Sequence, residues 1–149
     1  MTTKEYLMQI KRMEKMIDNK LSELYRLRQL VSSISISTDG ERVMYSGSMD
    51  KMGDSVAKIV DLEYSVAGTI SQYTELRQKI ISQIDSLKNY EYYSVLFSRY
   101  VSNNEFWKIA DEMGYSERQV FRIHGSALKE FEKMFGKEYL SRDVIECHA

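Results

Sequence analysis

The chain has 149 residues, 21 of them Lys or Arg and 22 Asp or Glu, which gives a net charge of −1. A near-neutral chain is not held to nucleic acid by bulk charge, so DNA binding would need a local basic face. With 7 glycines and no proline, long stretches lack a strong helix breaker, which predicts an all-α protein.

The cysteine content and the length of the apolar runs indicate the cellular compartment of the protein. The single cysteine, Cys147, next to His148, can form neither an intramolecular disulfide nor a complete zinc site, so we expect no metal and no cofactor. The N-terminus lacks the apolar core of a signal peptide, and no apolar run approaches the ~20 residues of a membrane span. We expect a cytoplasmic protein that does not enter a membrane.

The first element is a long amphipathic helix from about residue 3 to residue 33. Its apolar residues recur with a seven-residue pattern, and Lys20 fills the one polar position of that seam. The seam consists of Ile10, Met13, Ile17, Leu24, Leu27 and Val31. Some 30 helical residues would span roughly 45 Å, so we expect this helix to project from a small domain.

Residues 34–50 interrupt this pattern and are interpreted as a connector. Serine and threonine are frequent there, and Asp39-Gly40 is a turn signal. Ile34 and Ile36 alternate with serines, which leaves a short hairpin as the alternative to a loop.

A second heptad-like run follows, interrupted by Glu63 and Arg77. Its apolar positions are Met52, Val56, Ile59, Val66, Ile70, Tyr73, Ile80, Ile84 and Leu87. Two such stripes can pair antiparallel within the chain or between subunits, so residues 1–89 are expected to form a helical pairing segment of a homo-oligomer. The alternative is that both helices are long walls of one compact bundle.

Residues 90–137 are expected to form a small C-terminal domain, with 138–149 as a tail. A third helix over about 91–101 carries aromatic residues on most faces, which is typical of a buried segment. Ser102-Asn103-Asn104-Glu105 matches a capping box before a helix containing Phe106, Ile109, Ala110 and Met113. Ser116-Glu117-Arg118-Gln119 is a second box, before a helix striped by Val120, Ile123, Ala127, Phe131 and Met134.

The spacing of Ala110, Gly114 and Val120 predicts a helix-turn-helix. They occupy positions 5, 9 and 15 of a window that begins at Phe106. A small residue lets the second helix cross closely, a glycine permits the turn, and a β-branched residue packs the helices together.

The outward face of the second helix predicts DNA contacts. No acidic residue lies between Arg118 and Lys129, and Arg and Gln near a helix N-terminus can reach base edges in a major groove. The expected DNA-binding residues are Ser116, Arg118, Gln119, Arg122, His124, Ser126 and Lys129, with His124 at the edge of the face. An ordinary solvated face is the alternative. Phe121 is either a packing residue or an exposed contact to a thymine methyl group.

The C-terminal segments resemble region four of bacterial sigma factors. The resemblance is carried by Tyr93–Tyr100, with its L-x-x-R-Y pattern, by Trp107–Ser116, and by Val120–Lys129, with its Ala-Leu pair. With the long helical N-terminal half, the chain is similar to the ArpU/RinA-type regulators of late transcription in phages and prophages. That resemblance implies double-stranded DNA and RNA polymerase as partners, and a bacterial, nucleoid-associated location.

Some positions depart from that pattern. Phe121, His124 and Ser126 stand where sigma region four often has basic residues, which argues against recognition of the usual −35 element. Nothing in the N-terminal half corresponds to sigma region two.

We therefore expect a sequence-specific transcriptional regulator and not an enzyme, because no catalytic motif is identifiable. The alternatives are a small terminase subunit that recognises phage DNA for packaging, and a helical interaction protein that does not bind DNA.

Overall fold

The computed structural model describes residues 1–37 and 46–140, and these residues form helices without any strand. The expectation of an all-α protein is confirmed. In chain order the elements are α1 (Thr3–Ser37), α2 (Ser46–Asp85), α3 (Tyr90–Leu96) with a π-helical turn (Phe97–Val101) directly after it, α4 (Phe106–Met113) and α5 (Glu117–Tyr139).

The two long helices extend further than their heptad patterns predict. α1 continues to Ser37 and α2 begins at Ser46, so both ends of the expected connector are helical. The short hairpin that the alternation of Ile34 and Ile36 left open is wrong, because both residues lie within α1. The middle of the connector, residues 38–45, lies outside the described residues.

The chain divides into two compact units. One, here the hairpin unit, is Met13–Gln72, and the other, here the core unit, combines Met1–Arg12 with Tyr73–Ala149. We expected a boundary near residue 89. The first turns of α1 and the last turns of α2 instead belong with the C-terminal helices.

In the hairpin unit, α1 and α2 pair antiparallel within one chain. Lys20 Nζ donates to Ser65 Oγ at 2.9 Å and to Thr69 Oγ1 at 2.8 Å, and Arg28 forms an ion pair with Glu63. Partner numbers fall along α2 as they rise along α1, which defines the antiparallel direction. Thr69 is itself buried, so the polar seam position at Lys20 faces a hydroxyl partner.

The hydrophobic core of the core unit contains Phe131 of α5 together with residues from the start of α1 and the end of α2. Leu7, Ile10, Ile80 and Ile84 are fully buried in the same cluster. Because Leu7 and Ile10 belong to α1, the helix start is part of this core.

The end of α5 is held against the start of α1. The rings of Tyr139 and Tyr6 stack with their centroids 4.3 Å apart. The Oη atom of Tyr139 is 2.8 Å from Thr3 Oγ1. Tyr6 Oη in turn donates to Gln83 Oε1 at 2.8 Å. The expected tail boundary after residue 137 is therefore wrong, because Tyr139 is buried.

A second cluster holds α4 and α5 on α3. It consists of Val95, Ile109, Ala110, Val120 and Ile123. The sequence pattern had already assigned the last four to packing positions, which the structure confirms.

The stripe along α5 departs from the expectation near its end. Met134 is 45% exposed, whereas Phe135 packs against the core beside Phe131. The positions after Ala127 that pack inward are the buried Phe131, the half-buried Phe135 and the buried Tyr139, each four residues after the one before it.

Candidate nucleic-acid interface

The turn between α4 and α5 depends on a glycine. Gly114 has φ +71°, in the left-handed region, and its N–H together with that of Tyr115 donates to the last carbonyls of α4. This is the C-terminal glycine geometry that stops a helix in one residue. The expected role of Gly114 is confirmed.

Ser116 caps the start of α5. Its backbone is extended, and its Oγ accepts a hydrogen bond from Gln119 N at 3.2 Å. One orphan N–H of the helix start is satisfied this way, and the side chain directs the chain into α5. The second predicted cap is therefore confirmed at Ser116.

The first predicted capping box is wrong. α4 begins at Phe106 after Glu105, whose side chain makes no cap hydrogen bond. Ser102 instead closes the preceding π-helical turn, where its N–H donates to Phe97 O at 3.0 Å. Ser102 therefore ends the preceding π-helical turn and does not cap α4, as the S-x-x-E pattern had predicted.

Arg99 fixes the segment that leads into α4, a role that its place in the L-x-x-R-Y pattern does not predict. Its guanidinium donates to Asn104 O at 3.1 Å, lies 3.5 Å from a Glu105 carboxylate oxygen, and sits 4.4 Å above the Phe106 ring. Three contacts on one planar cation hold the π-helical turn and the start of α4 together. The L-x-x-R-Y pattern contains Arg99, but nothing in that pattern indicates which groups its guanidinium contacts.

The exposed side of the α5 N-terminus carries the predicted DNA-contacting residues. Arg118 and Arg122 are exposed and, with Ser116 and the half-buried Gln119, line one open depression. Within the described part of the chain, neither guanidinium has a hydrogen bond or an ion pair. Both are therefore available to an external acceptor.

This basic face continues beyond the limit predicted from sequence. At 100° per residue, the five cations of α5 fall within a sector of about 100°, and the four glutamates of the helix fall outside it. The cations are Arg118, Arg122, Lys129, Lys133 and Lys137, all exposed, and we call them the basic stripe. From Arg118 to Lys137 the stripe runs roughly 28 Å. Lys133 and Lys137 were missed because Glu130 and Glu132 follow Lys129 in sequence, although they lie off the stripe in angle.

Ser126 and Lys129 also face solvent, but His124 does not. The imidazole is 9% exposed, and a 2.7 Å hydrogen bond joins its Nε2 to Tyr100 Oη. Burial, together with the positive charges of Lys4 and Arg99, lowers the pKa of His124 to about 4. The histidine is thus neutral and enclosed, which corrects its assignment to the DNA-facing edge.

Two aromatic residues lie at the surface of this region. The Phe121 ring is 4.7 Å from that of Phe106, so it packs there as one of the two alternatives predicted, while half of its surface stays exposed. Trp107 is 62% exposed on α4.

These features define an all-helical protein in which a glycine turn joins α4 to a capped helix with one basic exposed side. The chain belongs to a family of proteins of unknown function, DUF1492, whose model matches residues 30–132. No curated protein and no solved structure matched the chain. The matched region includes the turn at Gly114 and the stripe as far as Lys129.

Two further observations concern other kinds of site. Among the described residues, no three or more His, Cys, Asp or Glu side chains come together in a group that could hold a metal ion. None of the helices described is both long and apolar enough to traverse a lipid bilayer.

Proposed function

We propose that this protein is a sequence-specific, double-stranded-DNA-binding transcriptional regulator in which the start of α5 enters a major groove. The observation that carries the proposal is the pair Arg118 and Arg122, exposed and unpaired beside Gln119. The opposite side of the same helix is anchored by Val120, Ile123 and Ala127, all of which are buried. A rigid helix with free cations on its outer side is what groove recognition requires.

The chemistry of each side chain suggests its target in the groove. A guanidinium can donate two hydrogen bonds to the O6 and N7 atoms of guanine, and a glutamine amide can bind the N6 and N7 atoms of adenine. We assign base reading to Arg118, Gln119 and Arg122 on this ground. Ser116, Ser126 and Lys129 suit phosphate oxygens, which position the helix without reading sequence.

The remaining cations of the basic stripe add an electrostatic contribution to the proposed DNA binding. Lys133 lies one turn beyond Lys129 on the same side of α5, so it can contact the phosphate backbone next to the groove. Because the whole chain has a net charge of −1, attraction to DNA depends on this stripe. Binding should accordingly weaken steeply as salt concentration rises.

The likeness of residues 93–129 to sigma region four supports a role in transcription, with activation of late operons in a phage or prophage as the specific form. In this proposal the protein works in the bacterial cytoplasm on the nucleoid, and RNA polymerase is a second partner. The departures at Phe121, His124 and Ser126 favour an operator of its own over the usual −35 element.

Selection from a random duplex library by the full-length protein supplies both the test and the target. On the selected duplex, Arg118→Ala and Arg122→Ala should each weaken binding roughly 5- to 150-fold, because each removes a bidentate base contact. They should also relax the sequence preference at one position. Fluorescence anisotropy at several salt concentrations measures both effects.

Two further variants complete the design. Lys133→Ala should weaken binding similarly on every sequence and reduce the salt slope by about 1, as expected of a phosphate contact. Lys58→Ala, which removes an exposed cation of the hairpin unit, is the matched control and should change neither quantity. Unchanged affinity in both arginine variants would refute the assignment of α5 as the recognition helix.

A further inference from the structure

Phe121 is an apolar side chain on the same side of α5 as the two unpaired arginines. It is 50% exposed, and it stands directly before Arg122 and three positions after Arg118. Residues at positions i, i+3, i+4 and i+7 of a helix share one face, and a recognition helix reads base edges from such a set. In the frame that contains both arginines, these positions are Arg118, Phe121, Arg122 and Gly125.

Helix geometry puts Phe121 and Gln119 on opposite flanks of the arginine pair. At 100° per residue, each of the two lies about 80° from the direction midway between Arg118 and Arg122. In the proposed complex Gln119 reaches base edges from its flank, so the Phe121 ring can reach them from the other.

The acidic residues near Phe121 lie away from the arginine pair. Glu117 is about 120° from the direction midway between the two arginines, toward the packed side of α5. Glu132 shares the flank of Phe121 but lies roughly 16 Å further along the helix axis. Neither carboxylate therefore stands between the Phe121 ring and a base pair that the arginines contact.

The inner side of the Phe121 ring has a fixed support. Its centroid lies 4.7 Å from that of the Phe106 ring, with 45° between the ring planes. Phe106 is itself held by the Arg99 guanidinium, 4.4 Å from its centroid, and by the nearly perpendicular His124 ring at 5.0 Å. A side chain that is already held in place loses little conformational entropy when a ligand covers its open side, which favours binding.

The chemistry of the phenyl ring selects one group in the major groove. The ring has no hydrogen-bond donor or acceptor for the polar base edges, whereas the C5 methyl group of thymine is an apolar group displayed in that groove. Gly125, one turn further on the same face, has no side chain that would hold a base pair away from the ring.

We propose that Phe121 contacts the C5 methyl group of a thymine and so determines one position of the recognition sequence. This inference rests on the proposed DNA-binding function and adds an apolar contact to the hydrogen bonds assigned there. Along the helix axis Phe121 lies ~4.5 Å beyond Arg118 and ~1.5 Å before Arg122, and base pairs are stacked ~3.4 Å apart. The thymine should therefore lie within about two base pairs of the guanines that the arginines read.

The removal of single methyl groups from the DNA tests this assignment. The duplex selected by the full-length protein is prepared with each thymine replaced in turn by uracil, which lacks only the C5 methyl group, and affinities are measured by fluorescence anisotropy. For the wild-type protein, one replacement near the arginine-read positions should weaken binding roughly fourfold, the effect of one buried methyl group. Phe121→Ser should bind that uracil duplex and the parent duplex equally.

Met134→Ser is the matched control. Met134 is another half-exposed apolar residue of α5, at 45% exposure. It lies about 140° from the direction of the arginine pair, so Met134→Ser should keep the wild-type preference for thymine over uracil. Each comparison uses one protein on two duplexes, so a partial loss of folded protein lowers both affinities equally and leaves their ratio unchanged.

Three results would overturn the proposal. They are a selected sequence with no thymine in either strand near the arginine-read positions, a wild-type protein that binds every uracil duplex as tightly as the parent, and a methyl effect that persists in Phe121→Ser. Each can occur while Arg118→Ala and Arg122→Ala still weaken binding, which would leave the recognition helix in place. Failure of the proposed function gives a different result, unchanged affinity in both arginine variants.

Discussion

His124 shows how one buried contact changes the chemistry of a residue. Its position beside the basic face suggested a phosphate contact, but the ring turns inward to Tyr100 and Phe106. Burial also raises the pKa of Tyr100 to about 12, so this hydroxyl keeps its proton throughout the physiological range. The pair is a neutral hydrogen bond that joins α5 to the π-helical turn.

The lowered pKa of His124 predicts a loss of stability in acid. Its pKa is about 4 in the folded protein and about 6.5 when unfolded, so between these values the unfolded chain binds a proton that the folded protein does not. Stability should be unaffected above about pH 6.5 and should fall as the pH drops toward 4, by up to roughly 3 kcal/mol.

Urea unfolding at pH 7 and pH 4.5 measures this effect. His124→Gln keeps a hydrogen-bonding group near Tyr100 but cannot titrate, so its stability should depend less on pH than that of the wild-type protein. An identical pH dependence in the two proteins would contradict the proposed protonation.

At the scale of the element, the junction of α4 and α5 rests on two short local signals, and both act where the sequence places them. Gly114 supplies the left-handed backbone and Ser116 the cap. Both operate within one helical turn of their own position, which is why they could be predicted. The capping pattern at Ser102 is just as short, but it does not cap α4, because α3 and its π-helical turn continue as far as this residue.

Two glycines of the same unit should respond to alanine with opposite signs. At Gly114 an added Cβ would meet nothing within 4 Å, so Gly114→Ala is costly only through its φ of +71°, by about 1–2 kcal/mol. Gly125 is inside α5 with equally open space, and Gly125→Ala should stabilise the protein by roughly 0.5–1 kcal/mol. Chemical denaturation of both variants measures the difference, and a shared sign would contradict this explanation.

At the scale of the whole molecule, the first turns of α1 are a structural part of the domain that carries the proposed DNA-binding helix. Leu7 and Ile10 are fully buried in the cluster that contains Phe131. The face of α5 that packs inward therefore depends on residues more than 100 positions earlier in the chain.

Truncating one of these side chains should accordingly destabilise the DNA-binding domain. Leu7→Ala leaves a cavity in the cluster that contains Phe131, and we expect a loss of about 2–5 kcal/mol in the free energy of unfolding. Met16→Ala, two turns further along α1 at a half-exposed position, is the matched control and should cost less than about 1 kcal/mol. Equal losses in urea denaturation would show that the start of α1 contributes no more to stability than an exposed position of the same helix.

The sequence by itself determined the helical class, the two long amphipathic helices, the turn at Gly114, the cap at Ser116 and the inward packing of Val120, Ile123, Ala127 and Phe131 on α5. These features follow from periodicity and from backbone preferences that act within a few residues. The pairing of the long helices within one chain, the burial of His124 and the union of residues 1–12 with the C-terminal helices were decided only by the tertiary structure. The contacts responsible join residues far apart in sequence, such as Tyr6 with Gln83 and Thr3 with Tyr139, 77 and 136 positions apart. An amphipathic pattern specifies that a face will be buried, but not which distant face will cover it, because any apolar surface of matching shape satisfies the same pattern.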